Sequence, residues 1–114
     1  MIVNKTIYFG YGDVAVGSTM SHLIITPIKP PQEVGSDIDM GNVEIMGEPI
    51  KFTFKAIKKV NELIDTLDAI CPENNTLVFR GYTFDFSKYN EQSIKVIKKH
   101  LENIKTNMSL LIAC

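Results

Sequence analysis

Asp37, Asp39 and Glu48 stand at relative positions one, three and twelve, the spacing at which carboxylates of a calcium-binding loop hold their ion. Such a loop needs glycine at position six for its sharp turn. Here Gly41 stands at five and Asn42 at six, and no helices flank the stretch, so it reads as a solvated acidic loop. The two histidines, His22 and His100, fall in no His-x-x-x-His or Glu-x-x-His spacing, and Cys71 and Cys114 form no Cys-x-x-Cys pair. Phe9-Gly10-Tyr11-Gly12-Asp13 carries two glycines but lacks the third glycine and the following helix of a dinucleotide loop, so a turn is expected there. There is no Walker lysine, no Gly-x-Ser-x-Gly elbow and no Cys/His couple. No motif requires catalysis, and an enzyme would have to work with Asp13, His22 or His100. Neither a metal centre nor a cofactor is expected.

The stretch Arg80-Gly81-Tyr82-Thr83-Phe84-Asp85-Phe86 partly resembles the RNP1 segment of RNA-recognition motifs, with Arg80, Gly81, Tyr82 and Phe84 on the pattern. The resemblance implies a βαββαβ domain that stacks single-stranded RNA bases on exposed rings. Strand alternation opposes this. Rings on the open face would turn Thr83 and Asp85 under the helices, and a buried unpaired carboxylate costs several kcal/mol, about 3–5. The orientation expected is therefore Tyr82, Phe84 and Phe86 inward, with Thr83 and Asp85 in water. Two basic clusters, Lys55, Lys58, Lys59 and Lys95, Lys98, Lys99, form one anionic-ligand patch if their helices lie side by side. Together with Arg80, Tyr82 and Tyr11 they make up the candidate ligand-binding set.

These residues need elements to position them. Residues 2–9 are β-branched and aromatic, 10–13 supply a turn and 14–16 resume the pattern, which predicts an N-terminal β-hairpin. A further strand is expected over 22–28, ended by prolines, then a loop over 32–41 and a short strand over 43–46. Ile50-Lys51-Phe52-Thr53-Phe54 alternates, with Ile50, Phe52 and Phe54 on one face. The period then changes. Ile57, Val60, Leu63, Ile64, Leu67 and Ile70 predict an amphipathic helix of about four turns ended by Pro72. Residues 76–79 and 82–86 read as two strands around Arg80-Gly81, or as one long strand kinked at the glycine. A second helix follows with Ile94, Ile97, Leu101, Ile104 and Met108 as its seam, and residues 110–114, apolar on both parities, suit a buried final strand.

The expected fold is α+β: a mixed, mainly antiparallel sheet with two amphipathic helices on one face. Residues 50–114 would form a βαββαβ, ferredoxin-like core, preceded by the hairpin and further strands. At 114 residues a single domain is expected. The strands over 22–28 and 110–114 are apolar on both faces, while two helices cover only one face of a sheet. The other face is expected to be covered by the N-terminal hairpin or by a second subunit, and a homodimer or higher homo-oligomer is the expectation drawn.

Composition narrows the partners. A net charge of −1 with 22% charged residues argues against nucleic acid as a partner. The charge is uneven: two cations against six carboxylates over 1–50, and ten against seven over 51–114. No signal peptide and no membrane-length apolar run is visible, so a cytoplasmic protein with free thiols and no membrane partner is expected. Abundant Ile, Lys and Asn point to an AT-rich genome, such as a bacterium or its phages. The functional expectation is a small non-enzymatic binding protein acting through protein–protein contacts, an accessory or inhibitor protein of a mobile element. The alternatives are a small-molecule or nucleotide binder with its pocket at an oligomer interface, and an RNA binder through residues 80–86.

Overall fold

The computed structural model describes residues 2–3, 5–29, 43–88 and 91–113. In chain order these form β1 (Ile2–Val3), β2 (Thr6–Tyr8), β3 (Val14–Thr19), β4 (His22–Pro27), β5 (Ile50–Thr53), α1 (Ile57–Asp68), β6 (Thr76–Phe79), β7 (Tyr82–Asp85) and α2 (Glu91–Ala113). The class is α+β, but the strands divide into two sheets. One has the order β1-β2-β7-β6 and the other β3-β4-β5.

The predicted pairing of residues 2–9 with 14–16 is replaced by others. β2 pairs in parallel with β7, Ile7 beside Phe84, while β3 turns back on β4. Gly10 and Gly12, at φ of 94° and 72°, carry the chain from one sheet to the other instead of folding it back. A turn signal is local, whereas the parallel pairing joins residues some 77 positions apart, beyond what turn residues encode. Antiparallel pairing does occur within residues 2–8, where β1 lies against β2 with Val3 opposite Thr6, and two further hairpins follow. β3 and β4 meet at Met20-Ser21, and β6 and β7 at Arg80-Gly81, where both residues have the positive φ (50° and 82°) of a type I′ turn.

The ferredoxin-like order is also replaced. β5 belongs with β4, not with β6 and β7, so residues 50–113 do not close one split βαβ sheet. The expected final strand is the end of α2, which runs on to Ala113. A short apolar run cannot be assigned by periodicity alone, and no glycine or proline stands between Met108 and Ala113 to stop a helix already under way. The apolar surplus of this segment therefore makes no demand on a second sheet face. Residues 43–46 contribute a single bridge, Ile45 to Ile28, beside the end of β4.

Other elements match their patterns. All five seam residues of α2 are buried, as are Val60, Leu63 and Leu67 of α1. Each such side chain contributes about 1.5–3 kcal/mol on leaving water. The helices do not share one sheet face: α2 packs on β3 and β4, α1 touches β6, and the two helices pack together. Between them and the sheets lies one cluster that includes Ile7, Phe9, Leu23, Phe52, Phe84 and Leu101. Among the described residues no helix is long and apolar enough to cross a membrane.

Met20 turns the β3–β4 hairpin at φ 51°, a left-handed conformation that costs a residue with a Cβ about 1–2 kcal/mol. Its side chain is exposed, so nothing in the core compensates. Replacing Met20→Gly is expected to stabilise the chain by about 0.5–1 kcal/mol, the relief net of glycine's entropy, as read from the midpoint of urea unfolding.

Candidate functional site

The two sheets meet at an open cleft of about 730 Å³ whose lining includes Pro27, Met46, Pro49, Lys51, Arg80 and Tyr82. Its floor follows from the alternation in β5. Phe52 faces the core, with its ring 5.3 Å from Phe79 and 5.4 Å from Tyr82, the latter edge-on. Lys51 takes the other parity and is exposed. Its backbone direction is fixed by a hydrogen bond further on. Phe54 N–H donates to Ser21 C=O, so residues 50, 52 and 54 bond toward β4 while 51 and 53 bond outward. β5 is the edge of its sheet, so the N–H and C=O of Lys51 open onto the cleft.

Arg80 closes one end of that edge. Its guanidinium donates to the outward carbonyl of Thr53. It also lies 5.0 Å from the ring centres of both Phe54 and Phe79, two rings stacked 5.8 Å apart. This cation–π seat and the Thr53 bond hold Arg80 at a positive φ that most residues avoid. A guanidinium carries five N–H donors, so donors beyond the one on Thr53 remain for a ligand in the cleft. Lys51 adds a second cation on the same lining, with Glu48 beside it.

Of the candidate ligand-binding residues, Arg80 and Tyr82 come together here; the others do not join them. Tyr11 follows β2, at the far end of β7 from Arg80, and the Lys88 ammonium sits 5.0 Å from its ring centre. Lys55, Lys58 and Lys59 are at the start of α1, where Lys59 pairs with Glu62 at 3.4 Å. Lys98 of α2 pairs with Asp68, at the opposite end of α1. Ten residues of helix separate Lys58 from Asp68, about 15 Å, so the two lysine clusters, with Lys95 and Lys99 flanking Lys98, lie apart and do not fuse into one patch.

The remaining motifs resolve individually. Phe84 and Phe86 are 0% exposed, with Phe86 stacked 4.8 Å from Phe9, so neither ring is open to a base; Thr83 and Asp85 take the outer parity. His22 Nδ1 and Thr53 Oγ1 are 2.8 Å apart, as are His100 Nδ1 and Ser18 Oγ. Ser18 shares the core-facing parity of Leu23, while His22 points to the other face, so the histidines lie on opposite sides of one sheet. Among the described residues no three His, Cys, Asp or Glu side chains gather at metal-binding distance. Asp37, Asp39, Gly41 and Asn42 lie outside the described residues, as does Cys114.

Sequence reasoning missed Lys51, Met46, Pro27 and Pro49. The alternation in β5 already turned Lys51 outward. Its meeting with Arg80 depends on how two sheets approach each other, which no local pattern encodes.

Gly10, by contrast, is a structural position near Tyr11. A Cβ on it would stand 2.6 Å from the Lys88 carbonyl oxygen, and its φ is 94°. Gly10→Ala is expected to cost about 2–3 kcal/mol in urea unfolding, since both the backbone strain and the collision oppose it. Comparison with family models, with curated proteins and with solved structures finds no significant match to this chain.

Proposed function

We propose that the chain is a small non-enzymatic binding protein that takes an extended segment of a partner protein into the cleft between β5 and the β6–β7 turn. The observation that carries this reading is the outward N–H and C=O of Lys51 on the free edge of β5, beside the Arg80 guanidinium. An extended peptide bonds to such an edge through its main chain and gains selectivity from side chains in the adjoining pockets. Pro27, Met46 and Pro49 supply an apolar wall, and Arg80 with Lys51 favours a carboxylate in the segment. Because Pro49 has no N–H, the usable edge is short, and affinity depends on the side-chain contacts more than on a long ladder. An accessory or inhibitor role for a mobile element fits the small size and the Ile-, Lys- and Asn-rich composition.

A second reading, an anionic small ligand held by Arg80, Lys51 and Tyr82, draws on the two cations sharing one lining. One experiment separates the two. A displayed library of random peptides is selected on the protein, and hits are measured by titration calorimetry. The protein-binding reading expects extended peptides carrying an acidic residue. Their affinity should fall about tenfold or more in Arg80→Asn, which tolerates the left-handed turn, and in Met46→Asp. Selection of no peptide, together with thermal stabilisation by nucleotides that Arg80→Asn abolishes, overturns it in favour of the second reading.

A further inference from the structure

The cleft edge of β5 differs in chemistry between its two ends. Pairing with β4 uses Ile50 and Phe52, so Lys51 and Thr53 turn their N–H and C=O groups the other way. Lys51 presents both groups, whereas the Thr53 C=O already accepts from the Arg80 guanidinium. The Thr53 end therefore offers donors: its own N–H and the further N–H groups of Arg80. Arg80 is exposed, and its seat on the Phe54 and Phe79 rings uses the flat faces of the guanidinium and leaves N–H groups at the rim.

This limits which way a bound chain can run. A strand that continues past Thr53 needs an acceptor there for its own N–H and meets the guanidinium instead. A segment antiparallel to β5 brings its N-terminal side to Arg80, setting backbone N–H groups or a terminal ammonium against donors and a cation. A segment parallel to β5 brings its C-terminal side. In a parallel ladder Lys51 N–H donates to one residue's carbonyl and Lys51 C=O accepts the N–H two residues on. Thr53 N–H then donates to the carbonyl oxygen of that second residue. Where the second residue is the last of its chain, this oxygen belongs to a carboxylate, which accepts only and carries the charge that Arg80 lacks a partner for in the ladder.

We propose that the segment taken by the cleft is the C-terminus of a partner protein, laid parallel to β5, with its terminal carboxylate on the Thr53 N–H and the Arg80 guanidinium. The proposal rests on the peptide reading of the cleft and gives that peptide a direction and an end group. Guanidinium–carboxylate bonds are of the stronger, charge-assisted kind, which offsets the shortness of the backbone ladder. Alternation sets the side chains. The terminal residue shares the parity of Phe52, on the side where Phe52 and Tyr82 line the cleft, and is apolar. The residue before it shares the parity of Lys51, where an acidic side chain is favoured.

The test compares free and blocked chain ends. Random peptides are displayed once with free C-termini and once with that end fused to a carrier. Hits are synthesised as free acids and as C-terminal amides for titration calorimetry. Enrichment from the free-ended library is expected, with apolar last residues, and amidation of a hit should weaken binding about tenfold or more. In Arg80→Asn, whose fold is checked by circular dichroism, the gap between acid and amide should shrink to about threefold or less. Should that variant fail to fold, the acid–amide comparison in the parent chain carries the test. Enrichment confined to the fused library, or amides that bind as tightly as their acids, overturns the terminal carboxylate and leaves the peptide reading of the cleft standing. Enrichment from neither library overturns both.

Discussion

Two sheets that share no strand ladder are joined through the ring of Phe52. It lies on β5 of the three-stranded sheet and meets Phe79, Tyr82 and Phe84 of the other at 5.3, 5.4 and 5.8 Å. Phe84 in turn lies 5.5 Å from Phe9, and Phe9 stacks on Phe86. The tilted and edge-on geometries are those that aromatic quadrupoles favour. This chain of rings does the work that a hydrogen-bonded strand would do in a continuous sheet. It also explains why α1 and α2 can pack against different sheets and still bury a common core.

The cleft is a consequence of that joint. Rings hold the sheets together on the core side, while the outer rim of β5 has no strand to meet and stays open. Arg80 occupies one end because the type I′ turn of β6–β7 delivers it there, against Phe54, Phe79 and the Thr53 carbonyl. A glycine or asparagine would suit that turn better on backbone grounds. The cost of a left-handed arginine is offset only by what its guanidinium touches, so the residue's identity is set by the joint and not by the turn.

Much of this was legible in the sequence where the signal was local. The three-and-four spacing from Ile57 to Leu67 and from Ile94 to Met108 gave both helices their buried faces. Arg80-Gly81 between two alternating runs marked a turn or a kink, of which the hairpin is the outcome, and the cost of burying Asp85 correctly set Phe84 and Phe86 inward. What failed was non-local. Nothing in residues 2–16 specifies that β2 should lie parallel to β7, and the apolar run after Met108 has the same composition in a strand as in a helix. Of the candidate site, Arg80 and Tyr82 were visible as residue types, while Lys51 and Met46 became partners only through the approach of the two sheets.

An open architecture of this kind has to manage its edges, since every sheet that does not close leaves backbone donors and acceptors facing water. The chain treats its two open edges differently. On β5, Pro49 removes one donor and Arg80 takes one acceptor, which leaves a short opening flanked by cations and apolar side chains. On β6, Cys71 exchanges backbone bonds with Asn74 just before the strand, which leaves only Thr76 and Val78 bonding outward. An edge narrowed to one residue offers a backbone ladder little to hold, so selectivity at such an edge rests on the side chains beside it. Both edges owe their exposure to the Phe52 joint, which brings the sheets together through ring contacts on the core side and leaves neither outer strand bonded to the other sheet.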